Sequence, residues 1–206
     1  MNMKKLKYIL IIALMAGSVF TYGQAGEMQL NFGVSGALPM GDSKDILPDA
    51  SIRGWQVGVL YGFNDKISAG LQVGFQDFYN KTERRVYQTE NGHISAVLSH
   101  SLQTVPILLG GRYSFTPEAS VRPFAGIGIG GNIVTFAEYL GQFGGSNTKV
   151  KFAARPEVGL AVHFGRFKDN AVWLSAAYNY MPYNEFDIKN INHGTVALGI
   201  TLPMRR

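Results

Sequence analysis

The stretch Arg122-Pro-Phe-Ala-Gly-Ile-Gly-Ile-Gly-Gly-Asn-Ile-Val134 decides how the chain is read. Gly126, Gly128 and Gly131 fit the G-x-G-x-x-G spelling of a dinucleotide-binding turn, whereas Ile127, Ile129 and Ile133 recur at even spacing, as on one face of a β-strand. A dinucleotide turn needs a buried strand before its first glycine, a helix after its last, and an acidic residue about 20 positions further on. None of these stands here in the right form. Arg122 and Pro123 open the segment, Ile133 and Val134 continue it as strand, and Asn147 to Lys151 reads as loop running into another strand. Gly126, Gly128 and Gly130 are therefore read as one face of a β-strand, and Ile127 and Ile129 as its other, apolar face.

The same two-residue period runs through the rest of the chain, with glycine concentrated on one parity. Leu30, Phe32 and Val34 alternate with Asn31, Gly33 and Ser35; Trp55, Val57, Val59 and Tyr61 alternate with Gln56, Gly58, Leu60 and Gly62. Ile67 to Gln76, Ile107 to Phe115, Glu157 to Phe164, Val172 to Tyr180 and Thr195 to Leu202 repeat the pattern, with Trp173 interrupting the small, polar face. With the quoted stretch as the fifth, these make eight strands. Short polar turns at Asn64-Asp-Lys66, Thr116 to Ser120 and Gly165 to Asn170 alternate with longer segments near 37–52, 80–93, 138–149 and 181–192. That alternation predicts an all-β, eight-stranded antiparallel up-and-down barrel with both termini on the short-turn side.

Period alone does not choose the solvent, because a soluble barrel also alternates. Composition of the second face does choose: it holds Gly, Ala, Ser and Gln with an occasional Arg or Glu, too small and polar for a dry core and too poor in charge for a solvated exterior. The continuous apolar face then suits lipid, where a closed barrel satisfies every backbone N–H and C=O. Tyr61, Phe63, Tyr113, Phe115 and Phe164 at the short-turn ends, and Phe75, Tyr79, Tyr178 and Tyr180 toward the long-loop ends, imply two interfacial girdles. The transmembrane barrel is the expectation; a soluble lipocalin-like carrier, with the apolar face inside, is the alternative.

The N-terminus sets the compartment. Lys4, Lys5 and Lys7 precede an apolar run from Tyr8 to Met15 that continues through small residues to Phe20, the form of a secretory signal peptide. Residues 1–23 are read as that signal, cleaved near Gln24, and 24–206 as one outer-membrane barrel domain. Without the signal the formal charge falls from +5 to +2, so a nucleic-acid partner is not expected. The chain has no cysteine, which excludes disulfides and thiolate metal sites.

These residues resemble the small eight-stranded outer-membrane β-barrel proteins, especially the PorT-like outer membrane protein beta-barrel domain family. The resemblance covers the mature chain and is carried by the signal peptide, by Leu102-Gln-Thr-Val-Pro-Ile-Leu-Leu109 leading to Arg112-Tyr113, and by Arg122-Pro-Phe-Ala-Gly-Ile-Gly128. It implies residence in the cell outer membrane, contact with outer-membrane lipid, and the barrel-assembly machinery as a partner during insertion. Such barrels usually finish on an aromatic residue read by that machinery, whereas this sequence closes with Leu202-Pro-Met-Arg-Arg206.

On the inward parity, Gln56, Gln72, Gln76, Arg112 and Glu157 form the candidate interior polar cluster, because a charge in a narrow lumen needs a partner. An internal ion pair or plug is the structural reading; a gate in a narrow pore is the functional one. Eight strands leave an interior just wide enough for side chains to fill. Ser99-His100-Ser101 and His163 raise a lipid-modifying hydrolase, but nucleophilic catalysis needs a base in reach and a third group to orient it, and no acidic partner stands at a fixed spacing. His93, His163 and His193 lack metal-ligand spacing, and no catalytic, cofactor-binding or metal residue is assigned. The loops Asn80 to Arg85 and Gly141 to Ser146 read as exposed, open to an extracellular ligand. The expected role is structural or loop-mediated, with the pore second and the hydrolase and lipocalin-like carrier behind it.

Overall fold

The computed structural model describes residues 26–81, 85–89, 92–96, 98–140, 143–164, 170–185 and 188–204. The expected signal peptide, its cleavage point and the turn at 165–169 lie outside these residues. In chain order the elements are β1 (Met28–Pro39), α1 (Ser43–Ile46), β2 (Ser51–Gly62), β3 (Ile67–Lys81), β4 (Arg85–Thr89), β5 (Gly92–Ala96), β6 (Leu98–Ser114), β7 (Val121–Leu140), β8 (Phe143–Phe164), β9 (Asn170–Asn179), β10 (Pro182–Glu185), β11 (Ile188–Asn190) and β12 (His193–Met204). Eight of the strands close a barrel in the order β1-β12-β9-β8-β7-β6-β3-β2, and every neighbouring pair is antiparallel. Closure is made by β1 and β12, in register from Met28↔Met204 to Pro39↔His193, which leaves no free edge in that span.

Each strand turns its apolar parity outward. Phe32, Leu71, Leu109, Ile127, Val158 and Leu198 are all exposed, so the lipocalin-like arrangement, which would bury them, is not the one formed. On β3 the outward apolar run from Ile67 to Phe75 spans nine residues before Asp77, the length a tilted strand needs to cross a bilayer. Tyr61 packs edge-on to Phe63 at 5.3 Å and Tyr113 to Phe115 at 5.2 Å at the short-turn end, and Trp55 stacks on Phe75 at 6.1 Å nearer the other. At the turn between β2 and β3, Asn64 Oδ1 accepts the backbone N–H groups of Lys66 and Ile67 at 2.9 and 2.8 Å, which is why asparagine punctuates there.

The long-loop end departs from expectation. Within the segment near 138–149, residues 138–140 and 143–149 are strand: β7 and β8 pair from Val121↔Val162 to Leu140↔Phe143, including the Asn147 to Lys151 stretch expected as loop. Lys149 and Lys151 alternate there with Thr148, Val150 and Phe152, so the two-residue period survives the rise in polarity that suggests a loop. The segment near 80–93 carries the β4–β5 hairpin, 181–192 carries β10 and β11, and 37–52 carries α1.

The interior is also less uniformly polar than its glycines imply. Trp173 is 1% exposed inside the barrel, over Gly199 and Gly33, where a Cβ would collide with its ring. Toward the long-loop end, Leu47, Met181, Tyr183 and Ile191 come in from the connecting segments and pack on Phe78, Leu102 and Val134 of the wall. Backbone and side-chain bonds tie that cap together: Met40 N donates to Asn192 O at 2.8 Å, Met181 N to Asn192 Oδ1 at 2.7 Å, and Lys189 N to Asp42 Oδ2 at 2.9 Å.

Candidate functional site: a braced barrel interior

The interior polar cluster is assembled by strand register. Arg112 on β6 lies beside Gly126 on β7, and Gly126 beside Glu157 on β8, so the two charged residues share a row but not a strand pair. Because the residue between them has no side chain, Arg112 Nη2 reaches over β7 and donates to Glu157 Oε1 at 3.0 Å. The Arg112 guanidinium also lies 4.1 Å from the centroid of the Phe124 ring, a desolvated cation–π contact.

Sequence reasoning missed the third charge. Arg155 sits two residues before Glu157 on the same inward parity, and its Nη2 lies 3.4 Å from Glu157 Oε2, so each carboxylate oxygen faces one guanidinium. Arg155 Nη2 also donates to Gln56 Oε1. With four strand steps between β2 and β8 in either direction around the barrel, this bond crosses the interior from wall to opposite wall. The spacing from Glu157 was the available signal; the intervening Pro156 and the assumed loop before it concealed the strand.

The glutamines occupy different levels. Gln72 sits on β3 between Gly58 and Leu108 and lines a small cavity with Gln56, Arg112, Arg155 and Glu157. Gln76 lies higher and is buried: its Nε2 donates to Ser51 O at 3.2 Å, and Ser35 Oγ donates to its Oε1 at 3.4 Å. The structure thus brings Gln56, Arg112 and Glu157 into one bonded network through Arg155, with Gln72 against its side and Gln76 in a separate one.

Two cavities of about 20 Å³ each lie inside, one flanked by Arg112 and Trp173 and one by Gln76 and His193. Each has room for about one water molecule. A larger recess of about 530 Å³ at the short-turn end is lined by Lys66, Arg112, Glu118, Arg122 and His163. Arg112 borders both this recess and the central cavity, and so forms the partition between them.

The serine and histidine residues do not converge on a nucleophile. Strand alternation puts His100 on the opposite face of β6 from Ser99 and Ser101, with its ring 6.0 Å from that of Phe136. Ser101 Oγ donates to Asp77 Oδ1 at 3.3 Å, and His163 lies at the other end of the barrel in the short-turn recess. His193 is buried, packed edge-on to Phe78 at 5.3 Å; the side chain of His93 is outside the described set. Among the described residues no three His, Asp or Glu side chains are grouped to hold a metal ion.

Comparison with known proteins agrees with this architecture. Neisserial surface protein A is similar at a TM-score of 0.54 and 13% identity, over 87% of this chain and 97% of its own. OprG of Pseudomonas aeruginosa is similar at 0.51 and 12%, over 89% and 98%, and Ail, the attachment invasion locus protein of Yersinia pestis, at 0.50 and 15%, over 88% and 100%. At such identities the likeness is one of fold. No curated protein sequence matches the chain. The family model described as outer membrane protein beta-barrel domain matches residues 9–201, and with an apolar belt outside and a braced interior the chain belongs to that family, a β-barrel protein of the outer membrane.

Proposed function

We propose that the protein is a closed, non-conducting outer-membrane barrel whose role is structural or is exercised through its long-loop end. The observation that carries this reading is the Arg155–Gln56 bond across the interior, held in place by the Glu157 bridge to Arg112. Above it the cap of Leu47, Met181, Tyr183 and Ile191 covers the opening with apolar side chains. A solute would have to break a desolvated ion-pair network and then displace a packed apolar layer. The proposal includes export by residues 1–23 with cleavage near Gln24, insertion by the barrel-assembly machinery, and a surface segment comprising the β7–β8 hairpin and the connections around it that is available to an extracellular ligand. No catalytic role is assigned.

Planar-bilayer recording of the purified protein tests the reading, with the expected result a flat trace. Reproducible unitary steps from the unaltered chain would establish the narrow pore in its place. N-terminal sequencing of protein from carbonate-washed outer membranes tests the cleavage point, and a heat-dependent gel shift reports the closed barrel.

A further inference from the structure

The central cavity is lined by hydrogen-bond donors that have no protein acceptor. Asn31 Nδ2, Arg112 Nε, Arg155 Nε and Trp173 Nε1 are all buried without a partner, and all four residues border the same space of about 20 Å³. Asn31, Arg155 and Trp173 are 6%, 6% and 1% exposed, so bulk water does not satisfy them. Of the acceptors nearby, Asn31 Oδ1 accepts from Thr201 Oγ1, Gln56 Oε1 from Arg155 and Glu157 Oε1 from Arg112, while Glu157 Oε2 is ion-paired to Arg155.

Charge points the same way as hydrogen bonding. The cavity lining holds two guanidinium groups and one carboxylate, one positive charge in excess. Within a barrel surrounded by lipid, an unbalanced charge is expensive, and each unpaired donor adds to that cost. A water molecule offers two lone pairs but brings two hydrogens that need acceptors of their own. A monatomic anion accepts from several N–H groups, donates none, and cancels the excess charge.

We infer that this cavity is a binding site for one small monatomic anion of the chloride class, held by Asn31, Arg112, Arg155 and Trp173. The site is distinct from a conduction path, since Arg155 and Gln56 close the barrel on its far side, and it rests on the closed interior and not on any loop partner. Entry is from the short-turn recess, with Arg112 as the partition.

Two measurements on the full chain purified from outer membranes in detergent test the assignment. Crystals grown in bromide are expected to show one anomalous peak enclosed by Arg112, Arg155 and Trp173. In solution, with gluconate making up constant ionic strength, the unfolding midpoint is expected to rise by roughly 3–5 °C for each tenfold increase in chloride above saturation. Gln72→Glu places a carboxylate on the wall of the same cavity and should abolish both the peak and the chloride dependence while the heat-dependent gel shift persists. Should that variant fail to fold, Trp173→Phe keeps an aromatic ring, removes one donor, and is expected to move the chloride response to higher concentration. Absence of the bromide peak, a midpoint indifferent to chloride, or an unchanged response in the folded variant would each overturn the site. A flat conductance trace accompanied by any of these separates failure of the anion site from failure of the closed-barrel reading.

Discussion

Arg112 and Glu157 are bonded at 3.0 Å although a whole strand lies between them, and Gly126 is the residue they bridge. A Cβ at that glycine would stand 3.1 Å from Gly111 O and 3.9 Å from Arg112 Cβ, so a branched side chain there would crowd the base of the arginine on the inward face. Gly126→Val is therefore expected to separate the pair and destabilise the barrel by about 1–3 kcal/mol through overpacking, plus the cost of an uncompensated charge. Urea unfolding of the barrel in lipid vesicles would measure it. A variant as stable as the parent would show that the bridge contributes nothing.

Glu157→Gln tests the same network from its centre. It leaves Arg112 and Arg155 in a shared low-dielectric space with no carboxylate between them, and breaking a buried pair in this way costs about 3–5 kcal/mol. Replacing all three groups, as Arg112→Met, Arg155→Met and Glu157→Gln together, removes the charges as well as the bonds. That triple variant is expected to regain most of the loss, which equilibrium unfolding of the single and triple variants side by side would reveal.

Much of this was legible in the alternating sequence. The inward placement of Arg112 and Glu157 follows from parity alone, as does the outward placement of Ile127 and Ile129. Their contact does not follow, since parity gives a face and says nothing of height along the axis; register supplies the height, and register is fixed by pairing across strands. Arg155 was hidden for a different reason. Pro156 and the polar Asn147 to Lys151 stretch resemble punctuation, yet β8 runs through both, its continuity set by pairing with β7 along twenty positions from Val121↔Val162 to Leu140↔Phe143. The cap was illegible because Leu47, Met181 and Ile191 lie in irregular segments where apolar residues carry no period.

Glycine positions differ sharply in what they tolerate. At Gly199 a new Cβ would overlap both the Phe32 carbonyl oxygen and the Trp173 ring, whereas at Gly111 it would meet nothing within 4 Å. Gly199→Ala is expected to lose about 1–3 kcal/mol by displacing Trp173, and Gly111→Ala to be neutral or slightly stabilising, since glycine is the weaker strand former. The near-ultraviolet circular dichroism of Trp173 in a Trp55→Phe background would follow the displacement directly. Equal behaviour of the two alanine variants would contradict the packing described.

Occlusion is expected to be redundant. Removing the apolar cap by Leu47→Ala, Met181→Ala and Ile191→Ala leaves the Arg155–Gln56 bond across the interior, and Gln56→Ala with Arg155→Ala leaves the cap. Neither set alone should give unitary steps in planar bilayers; the combination should. Conductance from the cap variants alone would mean that the polar network does not close the barrel.

The outer surface supplies a depth-dependent test. Leu109 is 70% exposed and sits midway along the outward run of β6 from Val105 to Tyr113, whereas Ile52, 88% exposed, is next to the exposed Arg53 beyond the belt. A charge at the bilayer midplane costs about 2–4 kcal/mol and one near the interface about 0–1 kcal/mol. Leu109→Arg is therefore expected to lower the stability of the inserted barrel severalfold more than Ile52→Arg, measured by denaturant titration in vesicles. The comparison uses two exposed aliphatic residues and one substitution, so side-chain burial in protein cannot produce the difference. Equal losses at the two positions would mean that Leu109 is not held at the centre of the membrane, and the register that places Arg112 and Glu157 inside that layer would have to shift with it.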